Sequence, residues 1–196
     1  MFEQLQGKKY SIIYADPPWQ YRNKYLKRRG AESHYPTMNI EQIKNLPVST
    51  ICADDCFLFL WVTFPLLQEG LDVIRAWGFE YKTLGFSWFK LNKSDGRPFF
   101  GMGRYTRSNC ELCLLGIRGK PIVASNSVSS VIISHRQEHS QKPVKIYSKI
   151  VQLCGDLPRI ELFARQQIGG WDMWDLNLDS THHKEKKKSI LPGLFR

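Results

Sequence analysis

Apolar residues fall into short runs of two kinds, separated by polar, Gly- or Pro-containing breaks. Residues 10–15, Tyr-Ser-Ile-Ile-Tyr-Ala, are rich in β-branched and aromatic side chains and too few for a helix. They predict a buried strand of a parallel sheet. Similar runs predict strands over 56–62, 82–90, 110–117, 128–133 and 159–164, and a short seventh at 171–174. Between several of these the spacing lengthens to that of a helix. One short helix takes Thr37 or Asn39 as cap, turns Ile40, Ile43 and Leu46 inward and ends at Pro47. A second, over 66–77, puts Leu67, Leu71, Val73 and Ile74 on its apolar face and is closed by Gly78. A third, over 142–154, carries Pro143 in its first turn, Val144, Tyr147, Ile150 and Val151 on one face, and Gly155 beyond its end. The alternation of strand and helix predicts an α/β domain, a sheet with helices on its faces.

Two long segments keep neither period. Residues 20–34 interleave Arg22, Lys24, Lys27, Arg28 and Arg29 with Tyr21 and Tyr25; residues 92–108 are rich in Gly and contain Arg97, Arg104 and Arg107. Basic and aromatic side chains on long loops suit phosphate contacts and base stacking, against the plainer reading of solvated loops. From residue 179 the chain is polar, basic and aperiodic, so the domain is expected over 1–178 and a disordered tail over 179–196.

Composition narrows the classes. At 196 residues, 42% apolar and 13% aromatic, the chain reads as one globular domain with a substantial core. No apolar run approaches the ~20 residues of a membrane span, and residues 1–9 lack the apolar core of a signal peptide, so a cytoplasmic location is expected. Lys and Arg number 28 against 18 Asp and Glu, a net +10, which points to a polyanionic partner, nucleic acid first. The five cysteines argue against a disulfide framework. Cys110-Glu-Leu-Cys113 opens a strand-like run without a second pair at metal-site spacing, and reads as small buried residues; no metal is expected.

The candidate chemistry sits where the first strand stops, at Asp16-Pro17-Pro18-Trp19. The two prolines fix their own φ, give no ladder hydrogen bond and hold Asp16 on a stiff turn. That turn lies at the carboxyl end of a strand, the edge where open α/β sheets bind ligands. An acid with a neighbouring backbone carbonyl suits methyl transfer to the exocyclic amine of a base. The nitrogen lone pair is delocalised into the ring, and two acceptors, Asp16 and the Pro17 carbonyl, concentrate density on it. Trp19 is then expected to stack on the base.

Several separated stretches together resemble the MT-A family of N6-adenine methyltransferases, over about residues 9–177. They are Asp16-Pro-Pro-Trp19, His34-Tyr-Pro-Thr-Met38, the run 58–62, Trp77-Gly-Phe79, Ser140-Gln-Lys-Pro143, Glu161-Leu-Phe-Ala-Arg165 and Gly170-Trp171. The resemblance implies a single Rossmann-like S-adenosylmethionine-dependent methyltransferase domain. Its order is permuted, with the Asp-Pro-Pro-Trp strand before the cofactor strand, which accords with the absence of a G-x-G-x-x-G. It implies S-adenosylmethionine as cofactor, with Lys142 on the methionine carboxylate, Asp16 near the sulfonium and amine, and Glu161, Arg165 and Gln167 also on the cofactor, the last two at the ribose. Relatives read Trp-Gly-Asn where this chain has Trp174-Asp175-Leu176-Asn177. One step along a strand reverses the face, so either a bulge brings Asn177 back to the ribose or Asp175 takes its place.

On the acceptor side the resemblance implies Tyr35 beside the target base, Trp61 and Trp88 as pocket walls, and Lys90, Glu111 and Arg136 as charged positions nearby. The tryptophans read equally well as core, and Glu111 and Arg136 as partners of each other. The reading is adenine-N6 methylation of DNA in preference to RNA, with the base flipped out and held by Arg22, Lys27, Arg28, Arg29, Arg104 and Arg107. RNA adenine-N6 or DNA cytosine-N4 methylation, and an inactive nucleic-acid-binding subunit of the same fold, stay open. So does pairing as a homodimer or with a related subunit.

Overall fold

A computed structural model describes residues 2, 5, 7–20, 37–101, 103, 105–136 and 141–175. The expectations for Arg22, Lys27, Arg28, Arg29, Tyr35, Arg104, Asn177 and the tail 179–196 lie outside the described residues.

Seven strands form one sheet: β1 (Tyr10–Ala15), β2 (Cys52–Val62), β3 (Glu80–Leu91), β4 (Cys110–Arg118), β5 (Val131–His135), β6 (Arg159–Leu162) and β7 (Asp172–Trp174), in the order β5-β3-β4-β2-β1-β6-β7. The helices are α1 (Ile40–Lys44), α2 (Leu67–Ala76) and α3 (Lys145–Cys154). β1 lies between β2 and β6 and is parallel to both. One correction concerns direction. β4 runs antiparallel to β2 and β3, because it returns from β3 through the loop 92–108 and enters the gap left by the β2–α2–β3 crossover. β2 also begins four residues earlier than the apolar run suggests, since Cys52 pairs with Tyr10 before the register shifts.

Period-2 alternation gives the sheet two faces. Ile13 and Ala15 of β1, with Leu58, Leu60 and Val62 of β2, point to one side and bury against Ile43 of α1 and Val73 and Ile74 of α2. Ile12 and Tyr14, with Phe57, Phe59 and Trp61, point to the other and bury against Ile146, Tyr147 and Ile150 of α3. Asn39 caps α1 through a capping box with Gln42. α2 approaches the sheet closely at Gly70, where an added Cβ would lie 2.9 Å from Val62 Cγ2. It ends at Gly78, whose φ of 83° favours glycine.

Two helical positions depart from expectation. Leu67, at the first position of α2, is exposed, and Gly70 takes the contact with the sheet. Val144 is 54% exposed because α3 begins only at Lys145; the buried face is Ile146, Tyr147, Ile150 and Cys154. Cys110 and Cys113 sit three apart on a strand and so point to opposite faces. No group of metal-binding side chains occurs among the described residues. No described helix is long and apolar enough to cross a membrane.

Candidate active site

The carboxyl edge of the sheet gathers the charged residues. β1, β2 and β3 end there, and antiparallel β4 begins there, so Asp16, Lys90 and Glu111 meet although they are far apart in sequence. Continuing the β1 alternation, Asp16 falls on the same face as Tyr14, the face that α3 covers. Lys142 arrives from the segment entering α3. Its Nζ donates to Asp16 Oδ2 at 2.6 Å and lies 3.3 Å from Glu111 Oε2. Lys90 Nζ donates to the other Glu111 oxygen, Oε1. The result is an alternating row, Asp16–Lys142–Glu111–Lys90, of four largely buried side chains with balanced charge.

That row decides protonation. Burial alone would raise Glu111, but Lys142 and Lys90 overcome it and hold its carboxyl down at about 2. Burial opposes the charge of Lys142 too, yet Asp16 and Glu111 keep its ammonium above the ordinary lysine value. Asp16 goes the other way: burial pushes its carboxyl up against the pull of Lys142.

The turn after β1 is rigid for reasons visible in its bonding. Trp19 N–H donates back to the Pro17 carbonyl at 2.8 Å, and Met38 N–H donates to the Pro18 carbonyl at 2.8 Å. The Pro17 carbonyl keeps a second lone pair for a ligand. Trp19 itself is buried in the α1–α2 core, and its indole N–H donates to the Trp61 carbonyl at 3.0 Å. Its ring is turned into the core, where it locks the turn to β2 and does not offer a face to a base.

Trp61 and Trp88 are likewise buried. Trp61 donates to Tyr14 Oη at 2.8 Å and Trp88 to Ser134 Oγ at 2.8 Å. Each also underlies a lysine, with Lys142 Nζ 5.3 Å from the Trp61 ring and Lys90 Nζ 4.9 Å from the Trp88 ring. They are core residues that floor the charged row. Arg136 is not paired with Glu111: its guanidinium stacks 4.1 Å from the Phe99 ring on the loop 92–108, at the rim. Arg107 is exposed on that loop.

Beside β1, the end of β6 forms the neighbouring half of the site. Glu161, paired in register with Tyr14, is 8% exposed. Tyr147 Oη donates to its Oε2 at 2.9 Å. Burial raises Glu161 to about 7, with the Tyr147 hydrogen bond opposing. Two residues on, Phe163 has φ 64°, a left-handed conformation uncommon outside glycine. Its buried ring packs edge-on against Trp174 at 5.3 Å, which holds the strained turn in place. Gln167 uses its amide to close the following loop, donating to the Trp171 carbonyl at 2.7 Å, while Arg165 is exposed and Asp175 half-buried just after β7.

Six of the residues expected from sequence therefore share one cluster: Asp16, Trp61, Trp88, Lys90, Glu111 and Lys142. Tyr14, Tyr147 and Phe163 were not singled out. Their signals are an aromatic two residues before Asp16, an aromatic on the inner face of α3, and a bulky residue where a turn needs positive φ.

The family description MT-A70 matches residues 10–177. Among similar proteins, the Type II methyltransferase M.MunI of Mycoplasma sp is 38% identical, over 91% of this chain and 82% of that protein. The N(6)-adenosine-methyltransferase catalytic subunit METTL3 of Homo sapiens is 30% identical over 89% of this chain, and the MT-A70-like N(6)-adenosine-methyltransferase of Arabidopsis thaliana 29% identical over 83%. The chain spans only 29% and 23% of the length of those two proteins.

Proposed function

The chain belongs to the MT-A70 family of methyltransferases, and from that premise we propose that it transfers a methyl group from S-adenosylmethionine to the N6 amine of adenine in DNA. The observation that carries this reading is Asp16, held on a rigid turn at the carboxyl edge of the sheet with Lys142 on its carboxylate.

The donor set fits the cofactor by its chemistry. A largely buried ammonium, Lys142, suits a carboxylate; the buried acids Asp16 and Glu161 suit cationic groups; Asp175, Arg165 and Gln167 at the β6–β7 edge suit a ribose diol. When bound, the cofactor supplies a methyl group on a sulfonium. Lys142, which bridges Asp16 and Glu111, would hold the cofactor carboxylate, and Asp16 would accept one N–H of the adenine amine. The Pro17 carbonyl accepts the other through its free lone pair. Density concentrates on nitrogen as it attacks, and Asp16 is placed to take the proton lost when the product forms. Transfer would be direct, with no covalent enzyme intermediate.

β1 precedes β6 in the chain yet lies beside it, which accords with the permuted order of strands. The adenine-N6 position rests on similarity to the N(6)-adenosine-methyltransferases, and the DNA acceptor on the match to M.MunI along most of both chains. The basic rim with Arg107, Arg136 and the stacking residue Phe99 suits the backbone of an opened strand. Methylation of RNA adenine is the second reading, favoured by those same N(6)-adenosine relatives. The intact Asp16–Lys142 contact weighs against an inactive binding subunit. Methyl transfer from labelled S-adenosylmethionine to unmethylated DNA, with nucleosides identified by mass after digestion, tests the proposal. N6-methyladenine is expected. Product on RNA alone would keep the chemistry and replace the acceptor.

A further inference from the structure

Glu161 is the one buried charged residue among the described core. It lies on β6 beside Tyr14, one strand from Asp16. The groups facing it are few. β1 presents Tyr14 and, two residues on, Asp16; the approach to α3 presents Lys142, and α3 itself Tyr147; the turn after β6 presents Arg165. On the β7 side its register partner is Met173, which is uncharged. Tyr147 Oη donates to Glu161 Oε2 at 2.9 Å. The Tyr147 ring is fixed by edge-on contacts with Tyr14 and Trp171, each at 5.4 Å, so the hydroxyl has one position.

We infer that Tyr147 is a positioning residue of the cofactor site: its hydroxyl holds the buried Glu161 carboxylate as the counter-charge for the cationic end of the bound cofactor, so that the carboxylate is ionised when the cation is present. The inference rests on the S-adenosylmethionine reading above and deepens it. The logic is that of a buried acid poised between two states. Without a cation, burial and the nearby Asp16 disfavour the charged form, and the Tyr147 hydrogen bond is the largest influence supporting it, ahead of the charges of Lys142 and Arg165. A cation nearby reverses the balance, and the proton leaves to solvent. Cofactor binding is then linked to release of one proton, and Tyr147 sets the pH at which that release ceases to oppose binding.

The test is equilibrium binding of S-adenosylmethionine to the full chain by calorimetry from pH 5.5 to 9, in buffers of different ionisation enthalpy to count protons. For the unaltered chain, affinity is expected to rise up to about tenfold per pH unit below neutrality and to level off above it. Tyr147→Phe keeps the ring packing and removes only the donor. A hydrogen bond to a charged group is worth roughly a factor of ten or more, so levelling-off should move up by about one pH unit. Glu161→Gln should bind more weakly and without proton release. A merely structural Tyr147 would lower affinity equally at every pH. That outcome, or superimposable profiles for the unaltered chain and Tyr147→Phe, overturns the inference. Should Tyr147→Phe fail to fold, Glu161→Gln that still releases a proton on binding overturns it equally. No binding by the unaltered chain at any pH defeats the S-adenosylmethionine reading itself, and is thereby distinguished.

Discussion

The two faces of the central strands are built from alternate residues of the same segments, and they differ in kind. On the α1–α2 side, beyond Tyr10, Cys52 and Cys56 at their amino ends, β1 and β2 contribute Ile13, Ala15, Leu58, Leu60 and Val62, aliphatic residues with no polar atom beyond the backbone. On the α3 side they contribute Tyr14, Asp16, Phe57, Phe59 and Trp61, aromatics whose polar tips are bonded and which end in an acid. One face is closed to chemistry and the other leads to it. The difference teaches that a period of two lets one strand serve stability and function at once, with each side chain assigned by parity.

The sharpest way to break the comparison is one change on each face. Asp16→Ala should lower methyl transfer by about 10³-fold or more, the scale of losing a positioned acceptor in the transition state. The fold should survive, because Lys142 keeps Glu111 as its partner. Leu60→Ala on the opposite face should do the reverse, costing about 2–5 kcal/mol of stability through its cavity while the remaining folded protein transfers normally. Denaturant midpoints and single-turnover rates on both variants decide it. An Asp16→Ala protein with substantial activity would remove the role given to that acid.

Lys142→Met joins the two effects. It strips the shared ammonium from two buried carboxylates, and breaking a buried pair in this way costs about 3–5 kcal/mol. Cofactor affinity should fall with it. A variant that unfolds at the usual midpoint, measured by urea titration at pH 7, would mean that the row of charges contributes little to the fold.

β1 was predicted to the residue, because burial on both sides writes a continuous apolar run, and most of the inner faces of α1 and α2 were legible, Leu67 excepted. The Asp16 turn was legible as well, since the prolines announce it. Three things were not. β4 reads as apolar whichever way it runs, so its direction depends on the long connection from β3 and leaves no trace in its own residues. Trp19 looked like a stacking ring because an aromatic beside a site does, yet core burial took it. The partners of Lys142 and Glu111 come from segments distant in the chain, and only the meeting of β4 with β1 at one edge of the sheet makes them neighbours.

Acid titration sharpens the comparison within the active face, because its two glutamates are shifted in opposite directions. Glu111 is held down at about 2 from an ordinary 4.5, so its contribution to stability is present above pH 4.5 and lost as pH falls towards 2. Glu161 is raised to about 7, so its contribution is present below 4.5 and lost as pH rises through 7. Glu111→Gln should therefore flatten the acid limb of a stability–pH curve and leave the limb between 4.5 and 7 in place. Glu161→Gln should do the opposite. Thermal midpoints across pH 2–8 read both limbs. The two variants giving the same curve would show that the glutamates do not titrate as separate groups.

The smallest effect is expected at the rim, where neither face is involved. Arg136 is exposed and stacks on Phe99, so Arg136→Ala removes no buried contact and should leave stability within about 0.5 kcal/mol. Its backbone N–H donates to the Leu91 carbonyl at 3.0 Å, and that bond survives the substitution, so the end of β5 stays beside β3. If the guanidinium meets a phosphate of the opened strand, the slope of log affinity against log salt should fall by about 0.7–0.9, the value for one phosphate contact. Binding should weaken by a similar factor on every sequence, since a phosphate contact carries no base information. Cofactor affinity should not move. The measurement is a salt titration of oligonucleotide binding for the unaltered and substituted chains. An unchanged slope would make Arg136 a loop clamp for Phe99 and nothing more, and would shift the search for phosphate contacts to Arg28 and Arg29.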